Sequence, residues 1–184
     1  MKDTNITFKY IITAFLAVLG TWIIHEFAHW ATAELLGYNS RMSLNSTNYI
    51  KGQNVTDWHR QLVSAAGPII TIIQVVIVFL LLKKNWSKSL YLLLFVGFYM
   101  RLLASIMNVV NPTSPNDEGR VSEYFGIGLY TIPIIVSAFL FYLVFKISKQ
   151  YQIPKKFQLA TYLIVTVFIA ILILSDQYFK IRIL

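Results

Sequence analysis

Five runs of apolar residues recur along the chain, at positions 8–24, 62–82, 89–110, 127–145 and 159–174, and together they occupy a little over half of it. A bilayer-spanning helix needs roughly 20 mostly apolar residues. Four of the runs reach or approach that length, and the first completes its span with C-terminal neighbours that include charged residues. A buried soluble bundle would not place five such segments in succession with so few polar faces between them. The pattern predicts an all-α polytopic membrane protein, a five-helix bundle.

Punctuation between the runs sets the expected elements. The first helix should run from Thr7 or Phe8 to about Leu36, with Gly37, Tyr38 and Asn39 as its stop. Residues 38–60 are polar, and the alternation across Arg41-Met-Ser-Leu-Asn45 predicts a short interfacial β-hairpin after helix 1. The second helix should begin between Asp57 and Gln61 and continue through Ala65-Ala-Gly-Pro68 to Leu82, kinked at the proline and closely packed at the small residues. The third spans Lys88 to Val110 and ends at Asn111-Pro112. The fourth is expected as one helix from near Asp117–Val121 to about Lys146, and the fifth from Lys156 to about Asp176. With no tandem repeats and no simple-sequence tails, residues 1–184 read as a single membrane-embedded domain.

Composition sharpens this picture. The chain has 184 residues, 57% of them hydrophobic and 13% charged, with a mean hydropathy of +0.61. The absence of cysteine excludes disulfides, thiolate ligands and a cysteine nucleophile. A net charge of +8 could suggest nucleic acid, but the positive residues sit in the junctions that flank membrane helices, so the expected partner is the lipid bilayer and not nucleic acid. Lys2 and Lys9 before the first run resemble a signal-peptide start, yet Trp22 to Trp30 lacks a small-residue cleavage pattern, so a retained helix is expected. For five crossings, Lys2, Lys9, Lys83, Lys84, Lys88, Lys146, Lys149, Lys155 and Lys156 fall on one side, against Arg41, Lys51, Arg60, Arg120, Lys180 and Arg182 on the other. The first side would be cytoplasmic by charge.

The chemistry lies in His25-Glu26-Phe27-Ala28-His29, an H-E-x-x-H match. On a helix, imidazoles four residues apart share a face and can ligate one zinc ion. In zinc hydrolases of this pattern, the glutamate stands beside the ligands and serves as the base that takes a proton from metal-activated water. Ionisable groups inside a membrane are costly, so three within five positions demand a collective reason such as metal binding. A catalytic zinc normally has three protein ligands. The junction after the third helix returns to the side of His25 and His29, and it carries Asp117, Glu118 and Glu123. Its proline-restricted approach favours Asp117 over Glu118, although an N-cap role also suits Asp117. His59 reads as an interfacial residue. Arg101 lies about 10 Å along its helix axis from Asn108 and is not assigned to the metal chemistry; it should snorkel, or pair with a carboxylate or backbone carbonyls.

Three portions of the chain, in order, resemble the site-2 protease family of intramembrane zinc metalloproteases. His25 to His29 resembles the family's zinc-binding helix, Ala66-Gly67-Pro68 its Gly-Pro element, and Asn108 to Gly119 its Asn, Pro, Asp-Gly segment. The similarity covers about residues 15–125, leaving helices 4 and 5, about 121–176, as accessory. The resemblance implies His25, His29 and Asp117 as zinc ligands and Glu26 as catalytic base. It further implies Asn108 or Asn111 as a polar group supporting the site or the substrate backbone, and a membrane-associated hairpin on the cytoplasmic side, opposite to the charge count. The chain departs from the family where Leu-Asp-Gly becomes Asn116-Asp117-Glu118-Gly119, which leaves Glu118 as an alternative metal ligand, and where Gly67-Pro68 lacks a following Asn.

The implied activity is zinc-dependent hydrolysis of a peptide bond in a locally unwound transmembrane protein or peptide, which would bind extended, as an added strand on the 38–55 hairpin. Two other classes remain open at this point. One is a non-proteolytic metal-binding transport or regulatory protein; the other is a structural or chaperone-like bundle in which the histidines make helix contacts.

Overall fold

A computed structural model describes residues 3–179 and 181–184; Lys2 and Lys180, counted above among the flanking positive residues, lie outside the described residues. In chain order the elements are α1 (Phe8–Leu35), β1 (Ser40–Met42), β2 (Thr47–Tyr49), α2 (Asp57–Lys84), α3 (Lys88–Val110), α4 (Asp117–Tyr124), α5 (Thr131–Gln150) and α6 (Lys155–Phe179). All of these helices except the eight-residue α4 are long and apolar enough to cross a bilayer. The protein is an all-α, multi-pass integral membrane protein with a short hairpin after its first helix.

Local chemistry explains where the helices begin. Thr7, Thr56, Ser87 and Asn116 each precede a helix, and their side-chain oxygens accept the backbone N–H three residues on. Each satisfies a donor that the first turn leaves without a helical partner. What the helices bury is decided by period. Along α6, Phe157, Thr161, Val165, Ile169 and Leu172 face inward, whereas Leu159, Leu163, Val167, Ile171 and Leu174 face outward. The outward face is as apolar as the inward one, the arrangement of a helix solvated by lipid.

α3 runs through the centre. Tyr91, Leu92, Leu94 and Val96 are fully buried, and α1, α2 and α5 all pack against it. Between helices, hydroxyls supply the polar contacts that hydrocarbon cannot. Tyr10 on α1 donates to Thr161 Oγ1 on α6 at 2.7 Å, because the Thr161 hydroxyl is itself donated to Phe157 O. Ser105 on α3 and Ser137 on α5 lie 2.7 Å apart.

The fourth helix differs from expectation. A single span from Asp117 to Lys146 is replaced by α4 and α5, separated at Phe125–Tyr130. Gly126 has φ 69°, a conformation that only glycine adopts freely. Its N–H bonds Glu123 O while the Ile127 N–H bonds Ser122 O, the paired bonds of a Schellman stop. The apolar run from 127 hid this break, although Gly126-Ile127-Gly128 carries its signal. The consequence is that α4 lies as a separate short helix and not as the start of a spanning one.

The hairpin pairs Ser40 with Tyr49, Arg41 with Asn48 and Met42 with Thr47. Its outer edge is covered by residues 181–184: Ile183 N–H donates to Met42 O at 2.8 Å, and Met42 N–H to Leu184 O at 3.1 Å. Asp176, near the end of α6, accepts from Ser43 Oγ at 3.0 Å and from Leu44 N–H at 3.1 Å. Among the described residues, no strand pairs with the opposite edge of β2. Replacing Asp176 with Ala leaves the Leu44 N–H and Ser43 hydroxyl without that acceptor, so stability should fall by about 1–3 kcal/mol, read as a lower thermal midpoint in detergent.

Candidate metal centre

α1 places His25 and His29 one turn apart on its inward face, both buried. Each Nδ1 has a partner on α2. His29 Nδ1–H donates to Val63 O at 2.6 Å. The Thr71 hydroxyl is given to Gly67 O at 3.0 Å, so His25 Nδ1–H donates to Thr71 Oγ1 at 3.1 Å. These contacts assign both tautomers. Each Nε2 therefore directs a lone pair toward the other, 3.1 Å away.

Asp117 closes the group. Its Oδ2 lies 3.2 Å from His25 Nε2 and 3.3 Å from His29 Nε2. Several contacts bring it there. Asn116 caps α4 while its backbone N–H donates to Asn108 Oδ1 at 2.8 Å, and its Oδ1 accepts from Asn108 Nδ2 at 2.7 Å. Asn108 is fully buried on α3 and so clamps the loop that presents Asp117. Arg120 Nη2 donates to Asp117 Oδ1 at 2.6 Å, and its Nε donates to Ser64 Oγ at 3.1 Å. One carboxylate oxygen is held by Arg120, and the other is left to the imidazoles.

Three lone-pair-bearing atoms with mutual separations of 3.1–3.3 Å repel unless positive charge sits among them. A tetrahedral ion with bonds of 2.0–2.1 Å to nitrogen and oxygen sets its ligand atoms about 3.3 Å apart. The donor set, the spacing and the Nδ1 partners that orient both rings fit such an ion. Thus His25, His29 and Asp117 form a buried cluster capable of coordinating a metal. Arg120, donating to Asp117 Oδ1 at 2.6 Å, favours the ionised carboxylate that a metal ligand must be.

Gly67 lies directly beneath the imidazoles. A Cβ there would come within 2.7 Å of His25 Nε2 and closer still to His29 Nε2. No side chain fits, so the close approach of α1 to α2 at this point requires glycine.

A cavity of about 500 Å³ opens over the cluster, lined by α1, the hairpin, α2, α3 and α4. Glu26 is buried on its wall, and the Thr47 hydroxyl on β2 lies in donating reach of both its Oε2, at 3.2 Å, and its backbone O, at 3.1 Å. Among the described residues, Glu26 makes no ion pair. Among the described residues, Tyr49 Oη, Gln61 Oε1 and Arg101 Nε are buried atoms without a hydrogen-bond partner, and all three residues line this cavity. Such unsatisfied polar atoms are rare in folded chains and concentrate here.

The other expected site residues fall in different places. Glu118 stays outside the cluster, its Oε1 accepting from Arg101 Nη1 at 3.1 Å. Asn111 is exposed at the end of α3 and accepts from Thr113 Oγ1. His59 is hydrogen-bonded to the Tyr38 hydroxyl at 2.7 Å, apart from the metal cluster.

Arg101 requires a correction. It does not snorkel away from the cluster; Nη1 is 3.8 Å from Asp117 Oδ2 and Nη2 is 3.5 Å from His25 Nε2. Distance along α3 from Asn108 misled, because α4 folds back against α3 and brings the Asp117–Glu118 step to Arg101. Pairing with a carboxylate was among the expected outcomes, and Glu118 is the partner. Thr71, Thr47, Ser64 and Arg120 were also missed as supports of the site. For two of them a local signal existed: Thr71 shares a helix face with Gly67, and Arg120 one with Asp117.

No protein-family model, curated protein or solved structure matches the chain.

Substituting Thr71 with Val removes the acceptor that orients His25 and should weaken metal affinity by about 10–100-fold, measurable by competition with a chromophoric chelator. Gly67→Ala should be more severe: its methyl displaces both rings, and purified protein should carry substoichiometric metal by elemental analysis.

Proposed function

We propose that the chain is a zinc-dependent intramembrane endopeptidase, of the kind found in the site-2 protease family that it resembles. Two imidazoles and one carboxylate suit zinc, and a catalytic site of this type keeps a position open. The observation that carries the reading is Glu26. A site that only stores or moves an ion has no need of an uncommitted carboxylate beside the ligands, buried, aimed by Thr47 and facing the same cavity.

His25, His29 and Asp117 would hold the ion, with Thr71, Val63 O and Arg120 keeping them in place. When bound, the metal supplies a Lewis acid for the scissile carbonyl and lowers the pKa of water. Glu26 takes a proton from the attacking water and returns it to the departing amide nitrogen. Asn108 acts at one remove by clamping the loop that carries Asp117.

The substrate would be a transmembrane protein or peptide, unwound at the cleaved bond because a regular helix occupies its carbonyls internally. The unpaired edge of β2 offers extended backbone a partner. Thr47, Asn48 and Tyr49 line the cavity, while the β1 edge is taken by residues 181–184. On this reading the region from about 15 to 125 carries the chemistry, and α5 and α6 brace it, α6 through the Asp176 contacts to the hairpin.

Glu26→Gln should lower hydrolysis of a casein or unwound transmembrane reporter by about 10²–10⁴-fold while keeping stoichiometric metal. Asp117→Asn should lose metal and activity together. Chelation should abolish cleavage and added Zn²⁺ restore it. A Glu26→Gln protein with full metal and undiminished cleavage would sink the mechanism.

A further inference from the structure

Resting on the hydrolytic reading, we infer that Arg101 is a second catalytic residue, whose guanidinium donates hydrogen bonds to the scissile carbonyl oxygen as that oxygen gains negative charge. The side chain sits in the middle of a membrane-length helix and is only 3% exposed. A cation in that position needs a strong reason. Among the described residues Arg101 pairs with Glu118 at 3.1 Å and with Asp117 at 3.8 Å, both through Nη1, and only the first is a hydrogen bond, using one of its five N–H donors. Among the same described residues, Nε has no partner, and Nη2 reaches only His25 Nε2, at 3.5 Å.

That last contact locates the donor. His25 Nε2 is the atom that would face the ion, and once its lone pair is committed there, Nη2 keeps its N–H groups and loses its acceptor. It is then a buried donor next to the cluster, on the wall of the cavity that would admit the substrate. An unpaired buried donor is costly, and a carbonyl oxygen turning anionic beside the metal relieves that cost in the transition state more than in the ground state.

Glu118 explains why the guanidinium tolerates the neighbouring ion. Its carboxylate, 3.1 Å from Nη1, offsets the charge of Arg101 while leaving the Nη2 side open. Asn108, two turns along the same face of α3, clamps the loop that brings Glu118 and Asp117 to this point. The ion pair therefore sets the guanidinium plane, and the plane presents the remaining donors to the cavity.

The step balances without a further reactant. Glu26 accepts a proton from water, the water oxygen bonds to the carbonyl carbon, and the carbonyl π pair moves onto its oxygen, where Arg101 donates. As that pair returns, the C–N bond breaks and the nitrogen receives the proton from Glu26.

The test compares wild type, Arg101→Gln and Arg101→Lys, each loaded with Zn²⁺ in detergent, using two probes that need no knowledge of the substrate. N-phosphoryl-Leu-Trp places a tetrahedral anion on the metal; acetohydroxamate chelates it in a plane. Arg101→Gln should keep one zinc per chain, bind N-phosphoryl-Leu-Trp about 10²-fold more weakly, and bind acetohydroxamate within about threefold of wild type. Its kcat on casein should fall by about 10²–10³-fold with little change in KM. Arg101→Lys, which keeps the charge but not the fork of donors, should fall between the two.

Undiminished affinity for the phosphoryl peptide in Arg101→Gln, no binding of it by wild type, or losses in both variants that track lost zinc or lost fold would each overturn the assignment. If wild type cleaves nothing and Glu26→Gln behaves identically, the protease reading fails. The probe affinities then still decide whether Arg101 serves an anion at this site.

Discussion

Within a bundle solvated by lipid, two imidazole nitrogens and one carboxylate oxygen point their lone pairs at one another. Left alone, this arrangement is repulsive, because like partial charges face one another at close range. Much of the architecture can be understood as enforcing it. α2 supplies two acceptors that turn the rings and a glycine that lets them approach. α3 supplies the asparagine that clamps the loop, and Arg120 takes the outer oxygen of the carboxylate. Few polar contacts near the centre lack a place in this scheme.

The same constraint explains why polar groups are distributed so unevenly. Elsewhere in the bundle, hydroxyls pair one to one across helices: Tyr10 with Thr161, Ser105 with Ser137, Tyr91 with Ser148. Each pair leaves little unsatisfied, which is what a membrane interior demands. Around the cluster that economy is suspended. Among the described residues, Arg101 and Glu118 are buried with an atom unpartnered, and half-buried Tyr49 and Gln61 each bury one such atom. Protein interiors rarely accept such a concentration unless something polar is to be bound, and the cavity gives it room.

The hairpin joins the two halves of this picture. Its β1 edge is closed by residues 181–184 and anchored by Asp176 from α6, so the helices farthest from the metal ligands in sequence hold the wall of the cavity. Thr47 on β2 contacts Glu26, and Thr47, Asn48 and Tyr49 line the cavity. With the β1 edge closed, no strand among the described residues pairs with the other edge of β2.

How much of this was legible depended on distance along the chain. Five spans and the stop at Gly37 could be read, because length, apolarity and a glycine stop are local properties. The H-E-x-x-H pair was legible for the same reason: a four-residue spacing on a helix settles its own geometry. The break between α4 and α5 also carried a local sign in Gly126 and Gly128, masked by the apolar run beside it. Arg101 could not be placed, since its neighbours come from α4 and α1, and no spacing along α3 reports what packs against it. Nor could the bridge that residues 181–184 make to the hairpin, the contact of Thr47 with Glu26, or the turning of Glu118 to Arg101, although Asp117 was already favoured over Glu118. Adjacent carboxylates on a helix point about 100° apart, and only packing against α3 decides which of them meets the imidazoles and which meets the guanidinium.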